Sequence, residues 1–207
     1  MPAVGIFGYA ATWHGLLLAL SGVRPAEAPD VSPDASFLDA LHRGDHDAWR
    51  RLFEDESPAL YRYALSRLGN REDAEDVTNH VFAEAWNAIG RFRDEGHPLR
   101  AWLFGIARRL ASRHHARFMA RNAQVSIESM QLEGSSDAVS VEQIALAEAL
   151  ASLDPAQTEL LSLRFIHGLS LAEVAAIFKT SVDGVKGRQR RSLEALRERL
   201  APQDIDP

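Results

Sequence analysis

Ser170 and Glu173 stand three residues apart at the head of an apolar run, Leu171-Ala172-Glu173-Val174-Ala175-Ala176-Ile177. A serine followed at that spacing by a glutamate is a capping box, which satisfies two orphan amide donors and starts a helix. The run is short, because Phe178-Lys179-Thr180-Ser181 reads as a tight turn. A second helix follows over residues 182–200, carrying Lys186, Arg188, Arg190, Arg191, Arg197 and Arg199. Two short helices across a turn, the second one basic, form a helix-turn-helix that offers its second helix to the major groove of DNA. This pattern commits the C-terminal part of the chain to a small helical module with a cationic helix facing outward.

The 207 residues are 46% hydrophobic, enough for one or two globular domains. The net charge of −6 argues mildly against a nucleic-acid binder, but the distribution of charge matters more than its sum. Arg100, Arg108, Arg109, Arg113, Arg117 and Arg121 make an acid-free basic run, with His114 and His115 inside it. Acids gather elsewhere, at Asp45, Asp47, Glu54, Asp55 and Glu56 and again at Glu72, Asp73, Glu75 and Asp76. Two basic faces on an acidic body suggest a chain that meets nucleic acid and a second partner. There is no cysteine, which excludes disulfides, thiolate zinc sites and cysteine nucleophiles. No apolar run approaches the ~20 residues that cross a bilayer, so membrane insertion is not expected.

Residues 1–35 read as a disordered or mis-called N-terminal extension. Leu16-Leu17-Leu18-Ala19-Leu20 is apolar, but no Lys or Arg precedes it, as the start of a signal peptide would require. Pro25, Pro29 and Pro33 lead into the first domain. Residues 36–118 read as wholly helical. Ser36 is the expected cap of a helix to Arg43, and Gly44-Asp45 ends it. A second helix continues to Leu68, with Pro58 expected to bend or break it and Gly69-Asn70 to stop it. Asn70 caps a third, whose apolar face is Ala74, Val77, Val81, Phe82, Ala85, Trp86 and Ile89. A loop with Gly96 and Pro98 precedes a fourth, from Leu99 to about Met119, with Trp102, Leu103, Ile106, Leu110 and Ala111 facing inward. Residues 119–140 lose periodicity and read as a linker, too long to be usual inside one domain. Helical pattern returns at residues 141–202, where Asp154-Pro155 starts a helix with a capping acid and a first-turn proline.

Three stretches resemble the bacterial sigma-70 family, in its small extracytoplasmic-function (ECF) group. Asp73-Ala74-Glu75-Asp76-Val77-Thr78-Asn79-His80-Val81-Phe82-Ala83-Glu84-Ala85-Trp86 looks like region 2.2. Phe92-Arg93, continued by Arg100-Ala101-Trp102-Leu103-Phe104-Gly105-Ile106-Ala107-Arg108-Arg109-Leu110-Ala111, is similar to regions 2.3 and 2.4. Leu153-Asp154-Pro155 onward looks like region 4, with Leu163-Arg164-Phe165, Gly168-Leu169-Ser170 and Val185-Lys186. The resemblance implies an all-α chain of two small helical domains, a region 2 bundle over 36–118 and a region 4 helix-turn-helix over 141–202, joined by a flexible linker. It implies a cytoplasmic sigma factor that binds core RNA polymerase and directs promoter-specific initiation. It implies no enzyme activity, no cofactor and no metal site. The partners it implies are promoter DNA, the clamp helices of the largest catalytic subunit, the flap of the second largest, and an anti-sigma factor.

The resemblance also assigns residues, and each assignment has a plainer alternative. Asp73, Glu75, Asp76, Asn79, His80 and Phe82 would dock on polymerase; as physics alone, the acids are first-turn charge that favours the helix dipole. Phe92, Arg93, Asp94, His97 and Arg100 lie where a loop would hold a base flipped from the −10 element, and Arg108, Arg109 and Arg113 would face phosphates. Of Trp102 and Phe104, at least one belongs to the core, with Trp102 the favoured structural residue. Ser181 would cap the recognition helix, with Val182, Asp183, Lys186, Gln189 and Arg190 toward base edges of the −35 element and Arg188 and Arg191 toward phosphate. The alternative there is a basic solvated face. Acids of the linker, Glu128, Glu133 and Asp137, either mimic RNA charge or are simply solvated.

The chain departs from the family at His80, where a Glu is usual, at Arg109, where an Asn is common, at Arg113, where an acid is common, and at Gln189, where Leu or Ile is usual. Gly184 and Gly187 each cost about 1 kcal/mol against Ala inside the recognition helix. These departures leave a second function open: a decoy that sequesters an anti-sigma factor without directing transcription. A simple helix-turn-helix repressor leaves the acidic, aromatic N-terminal module without a task.

Overall fold

The computed structural model describes residues 34–94, 98–122, 146, 148–150 and 152–200, and every regular element among them is helical. Residues 1–33, His97 and the expected linker beyond Asn122 lie outside the described residues. The chain forms two compact units, one holding the helices up to Asn122 and the other those from residue 146 onward.

The first unit opens with α1, Ala35–His42. Its cap is Asp34, not Ser36: the Asp34 carboxylate accepts from the Ser36 amide, and the Ser36 hydroxyl donates to it at 2.8 Å. These two bonds hold the Asp34 carboxyl below its usual range, the hydroxyl contributing most. Sequence alone placed the cap two residues late because Ser and Asp both suit the position. Gly44 turns the chain at φ +73. Helix α2, His46–Leu68, then starts on Asp45, whose side chain accepts from the amides of Asp47 and Ala48. Pro58 does not break it, so of the expected bend or break the break is overturned. Its ring lies on the exposed side of α2, where water can take up the carbonyl that lost its amide partner. Gly69, at φ +70, ends the helix by donating its amide to the Leu65 carbonyl.

Asn70 caps α3, Arg71–Ala88, and a single 3-10 turn, Ile89–Arg91, follows. The last element of this unit is α4, Leu99–Asn122. Helices α2, α3 and α4 pack pairwise around Leu60, Tyr63, Ala64, Ala74, Leu103 and Phe104. Tyr63 meets Phe104 edge-on at 5.5 Å. Phe104 is thus the aromatic of α4 that fills the core, while Trp102 is half-buried against Phe92. Trp49 fastens α1 to α2 by donating its indole N–H to the Leu41 carbonyl at 3.1 Å.

In the second unit, Asp154 caps α5, Pro155–Leu161, in a full capping box with Gln157. The helix widens into a π turn over Ser162–Ile166, closed by the His167 amide on the Ser162 carbonyl. Helix α6, Leu171–Phe178, begins on the expected box, with Ser170 and Glu173 exchanging bonds of 2.6 and 3.1 Å. Lys179 makes the turn in the left-handed region, at φ +51. Helix α7, Val182–Leu200, lies against α5 and α6. Leu160, Leu161, Leu163, Leu169 and Leu196 form the core they share. Burying one such leucine contributes about 1.5–3 kcal/mol, so packing rather than helix propensity holds the short α6 in place.

Candidate nucleic-acid and docking interfaces

The start of α7 is built as expected. The Ser181 hydroxyl accepts from the Gly184 amide at 3.1 Å, and Val185 donates to the Ser181 carbonyl. Gly184 is there for a reason of space: a Cβ on it would come within 2.8 Å of Thr180 Oγ1. Val182, Asp183, Lys186, Arg188, Arg190 and Arg191 are all exposed. Among the described residues, Val182 is one of the exposed large apolar side chains, on the first turn of α7. Lys186 and Arg190 make only loose pairs with Asp183 and Glu194, at 3.6 and 3.8 Å, which DNA would readily replace.

Gln189 is placed differently from its expected role at a base edge. Its Oε1 accepts from Arg164 Nε at 3.2 Å, on the inner side of α7. Arg164 is only 8% exposed and also donates through Nη1 to the Leu169 carbonyl. The polar residue on the apolar face of α7 therefore has a buried cation to meet, which accounts for Gln where Leu or Ile would suit the pattern.

On α3, Glu75, Asp76, Asn79 and His80 are exposed, while Ala74, Val77, Val81 and Ala85 are locked into the bundle. Asp73 is tied to α4 by His114 Nε2, 3.1 Å away. Phe82 is buried beneath Phe53 of α2, with ring centroids 4.7 Å apart, so it backs the surface while Phe53 shows 42% of its own. One turn along the same seam, Trp86 meets Trp49 with tilted rings at 4.9 Å and is 44% exposed, more open than a backing residue should be. A groove of about 400 Å³ continues the seam between Phe53, Pro58, Tyr61, Glu75, Thr78 and Asn79.

The expected −10 face is mixed. Phe92 is only 6% exposed, its ring against Trp102 at 4.9 Å, so it is packed inward and not open to a base. Arg93 and Asp94 are exposed, and the Arg93 guanidinium holds the carbonyls of Gly90 and Phe92. Arg100 pairs with Glu56 of α2 at 3.2 Å and lies over the Phe104 ring. Arg109 pairs with Glu84 of α3. Arg108 is half-buried, and Arg113 and Arg117 are exposed on the side of α4 that Arg109 shares at four-residue spacing.

Three partners escaped the sequence reading: Glu56, Glu84 and Arg164. For Arg164 a signal was present. An arginine inside the apolar run Leu160-Leu161-Ser162-Leu163-Arg164-Phe165-Ile166 has to be paired if the run is buried. Glu56 and Glu84 are half-buried, but in the sequence nothing local distinguishes them from the other acids.

The Sigma-70 region 2 family model matches residues 52–120, and the Sigma-70 region 4 model matches residues 149–198. The chain is 34% identical over 193 residues to the ECF RNA polymerase sigma factor BldN of Streptomyces coelicolor, covering 87% of this chain and 70% of that one. A solved structure of CnrH in complex with the cytosolic domain of CnrY aligns with a TM-score of 0.58 and 30% identity, over 79% of this chain and 94% of that one. The sigma factor RpoE of Bartonella quintana, in complex with the anti-sigma factor NepR, aligns with a TM-score of 0.54 and 27% identity, over 74% of this chain and 97% of that one.

Proposed function

Since the chain belongs to the sigma-70 family, in its ECF group, we propose a division of labour between its two units during transcription initiation. As a sigma factor the protein binds core RNA polymerase and directs promoter-specific initiation. The first unit docks on the clamp helices of the largest subunit through the exposed side of α3 and opens the −10 element beside α4. The second meets the flap of the second largest subunit and reads the −35 element with α7. An anti-sigma factor is the regulatory partner, and the site of action is the cytoplasm.

The observation that carries this reading is the row Glu75, Asp76, Asn79 and His80 on a helix whose opposite side is locked into the bundle. Helix-on-helix docking needs such a polar face held rigid by a packed core, because side-chain and backbone ordering on binding then costs little. The open cations Lys186, Arg188, Arg190 and Arg191 on α7 support the DNA-reading half. The decoy reading draws on the departures at His80, Arg109, Arg113, Gly187 and Gln189, and the structure bears on two of them, Arg109 and Gln189. Each has an internal partner, Glu84 and Arg164, so neither is a sign of a decayed surface.

The test is run-off transcription with purified core polymerase on the DNA upstream of this protein's own coding region. A defined transcript that depends on the protein is expected. It should be lost with E75K and D76K together, along with core binding. No transcript and no core binding by the unaltered protein would overturn the proposal and favour the decoy.

A further inference from the structure

Arg164 lies on the π turn that follows α5. Its guanidinium reaches two places at once. Nη1 donates to the carbonyl of Leu169, the residue before the cap of α6. Nε donates to Gln189 Oε1, near the middle of α7. One buried cation thus joins the start of the first helix of the pair to the body of the second. The start of α6 is itself rigid, because Ser170 and Glu173 are both buried and bonded to each other.

The tie falls on the part of α7 with the least support of its own. Gly184 and Gly187 stand in the first and second turns of the helix, and each weakens a helix relative to Ala. Gln189 follows directly after this weak stretch, and Val185 is its buried apolar anchor. An amide on the inner side of a helix, bonded to a guanidinium, fixes the rotation of that helix more sharply than a leucine would, since a hydrogen bond is directional and apolar contact is not.

We infer that Arg164 and Gln189 form a tie that sets the pose of the recognition helix against α6, and that Gln189 acts on −35 recognition through Arg164 and not by touching a base. Gln189 is then a positioning residue. This rests on the reading of α7 as the −35 helix, so the test has one arm that uses DNA and one that does not.

In the first arm, run-off transcription by holoenzyme is measured on a set of promoters with each −35 base pair changed in turn. Q189M, which keeps the volume and removes the acceptor, should lower transcription on all of them by a common factor of about tenfold, leaving the base preferences unchanged. R164M, which also loses the bond to the Leu169 carbonyl, should lower transcription at least as far with the base preferences unchanged, and the double variant should be no worse than R164M alone. A base reader behaves otherwise: Q189M would then relax preference at one base pair and spare the rest. That result, or no effect at all, overturns the inference. In the second arm, amide hydrogen exchange is followed on the full-length protein without DNA. Q189M should speed exchange over residues 185–192 about tenfold, and Q189E, which restores an acceptor for Nε, should bring it back. Should the unaltered holoenzyme show no −35 dependence, the assignment of α7 falls, and this arm decides the tie alone: unchanged exchange in Q189M overturns it.

Discussion

Arg109 of α4 reaches across to Glu84 of α3, so the helix expected to follow DNA is joined by an ion pair to the helix expected to dock on polymerase. The two side chains are 46% and 34% exposed. At that exposure the pair is screened by solvent and its contribution is small. A double-mutant cycle with E84Q and R109Q, read by thermal unfolding, should give a coupling of about 0.2–1 kcal/mol. A coupling near zero would mean that the pair orders neither helix, and Arg109 would be left to DNA.

Arg113 is exposed on the same side of α4, with Arg117 one turn further on. A cation that meets phosphate contributes to affinity by releasing counterions, without regard to sequence. R113A should weaken promoter binding by the holoenzyme and reduce the slope of log affinity against log salt by about 1. Its unfolding free energy should move by less than about 0.5 kcal/mol. An unchanged salt slope would remove Arg113 from the DNA face.

The two glycines of α7 should respond differently to alanine. A Cβ on Gly187 meets Arg191 Nη1 at 3.6 Å, an ordinary contact, so G187A should stabilise by about 0.5–1 kcal/mol through helix propensity. A Cβ on Gly184 would stand 2.8 Å from Thr180 Oγ1 and 3.2 Å from the capping Ser181 Oγ. G184A should therefore gain less than G187A, or lose stability, because the Thr180 and Ser181 hydroxyls must give way, the latter at the expense of the cap. Urea unfolding of both variants checks the order, and a larger gain for G184A would refute it.

Ser170 and Glu173 close a capping box that is almost wholly buried. S170A leaves the Glu173 amide without its hydroxyl acceptor, where little water can replace it. A loss of about 1–2 kcal/mol is expected from thermal unfolding. A change under about 0.3 kcal/mol would show that the start of α6 is held by packing alone.

What the sequence determined by itself is local. Helix α6 was legible in Ser170 and Glu173, the start of α5 in Asp154-Pro155, the end of α2 in Gly69 and the cap of α7 in Ser181, because each depends on residues within four positions of it. The same locality explains two failures. Pro58 reads as a bend or a break, yet its place on the open side of α2 lets the helix continue unbroken, and exposure is not a local property. Asp34 and Ser36 are equivalent as caps until the backbone chooses between them.

Only the tertiary structure decided what the long polar side chains do. Glu84 with Arg109, and Arg164 with Gln189, each meet across 25 positions of sequence. Packing of the helices sets such pairs, and charge pattern does not predict them. Tertiary packing also buried Phe92, gave Gln189, which helical spacing already sets near the apolar face of α7, its Arg164 partner, and left Phe53 and Trp86 open along one seam. The physical reason is common to all of these. Helix periodicity places a side chain on a face, but whether that face meets solvent, a neighbour or a partner depends on how the helices rotate and register against one another. That is set by the fit of the whole core.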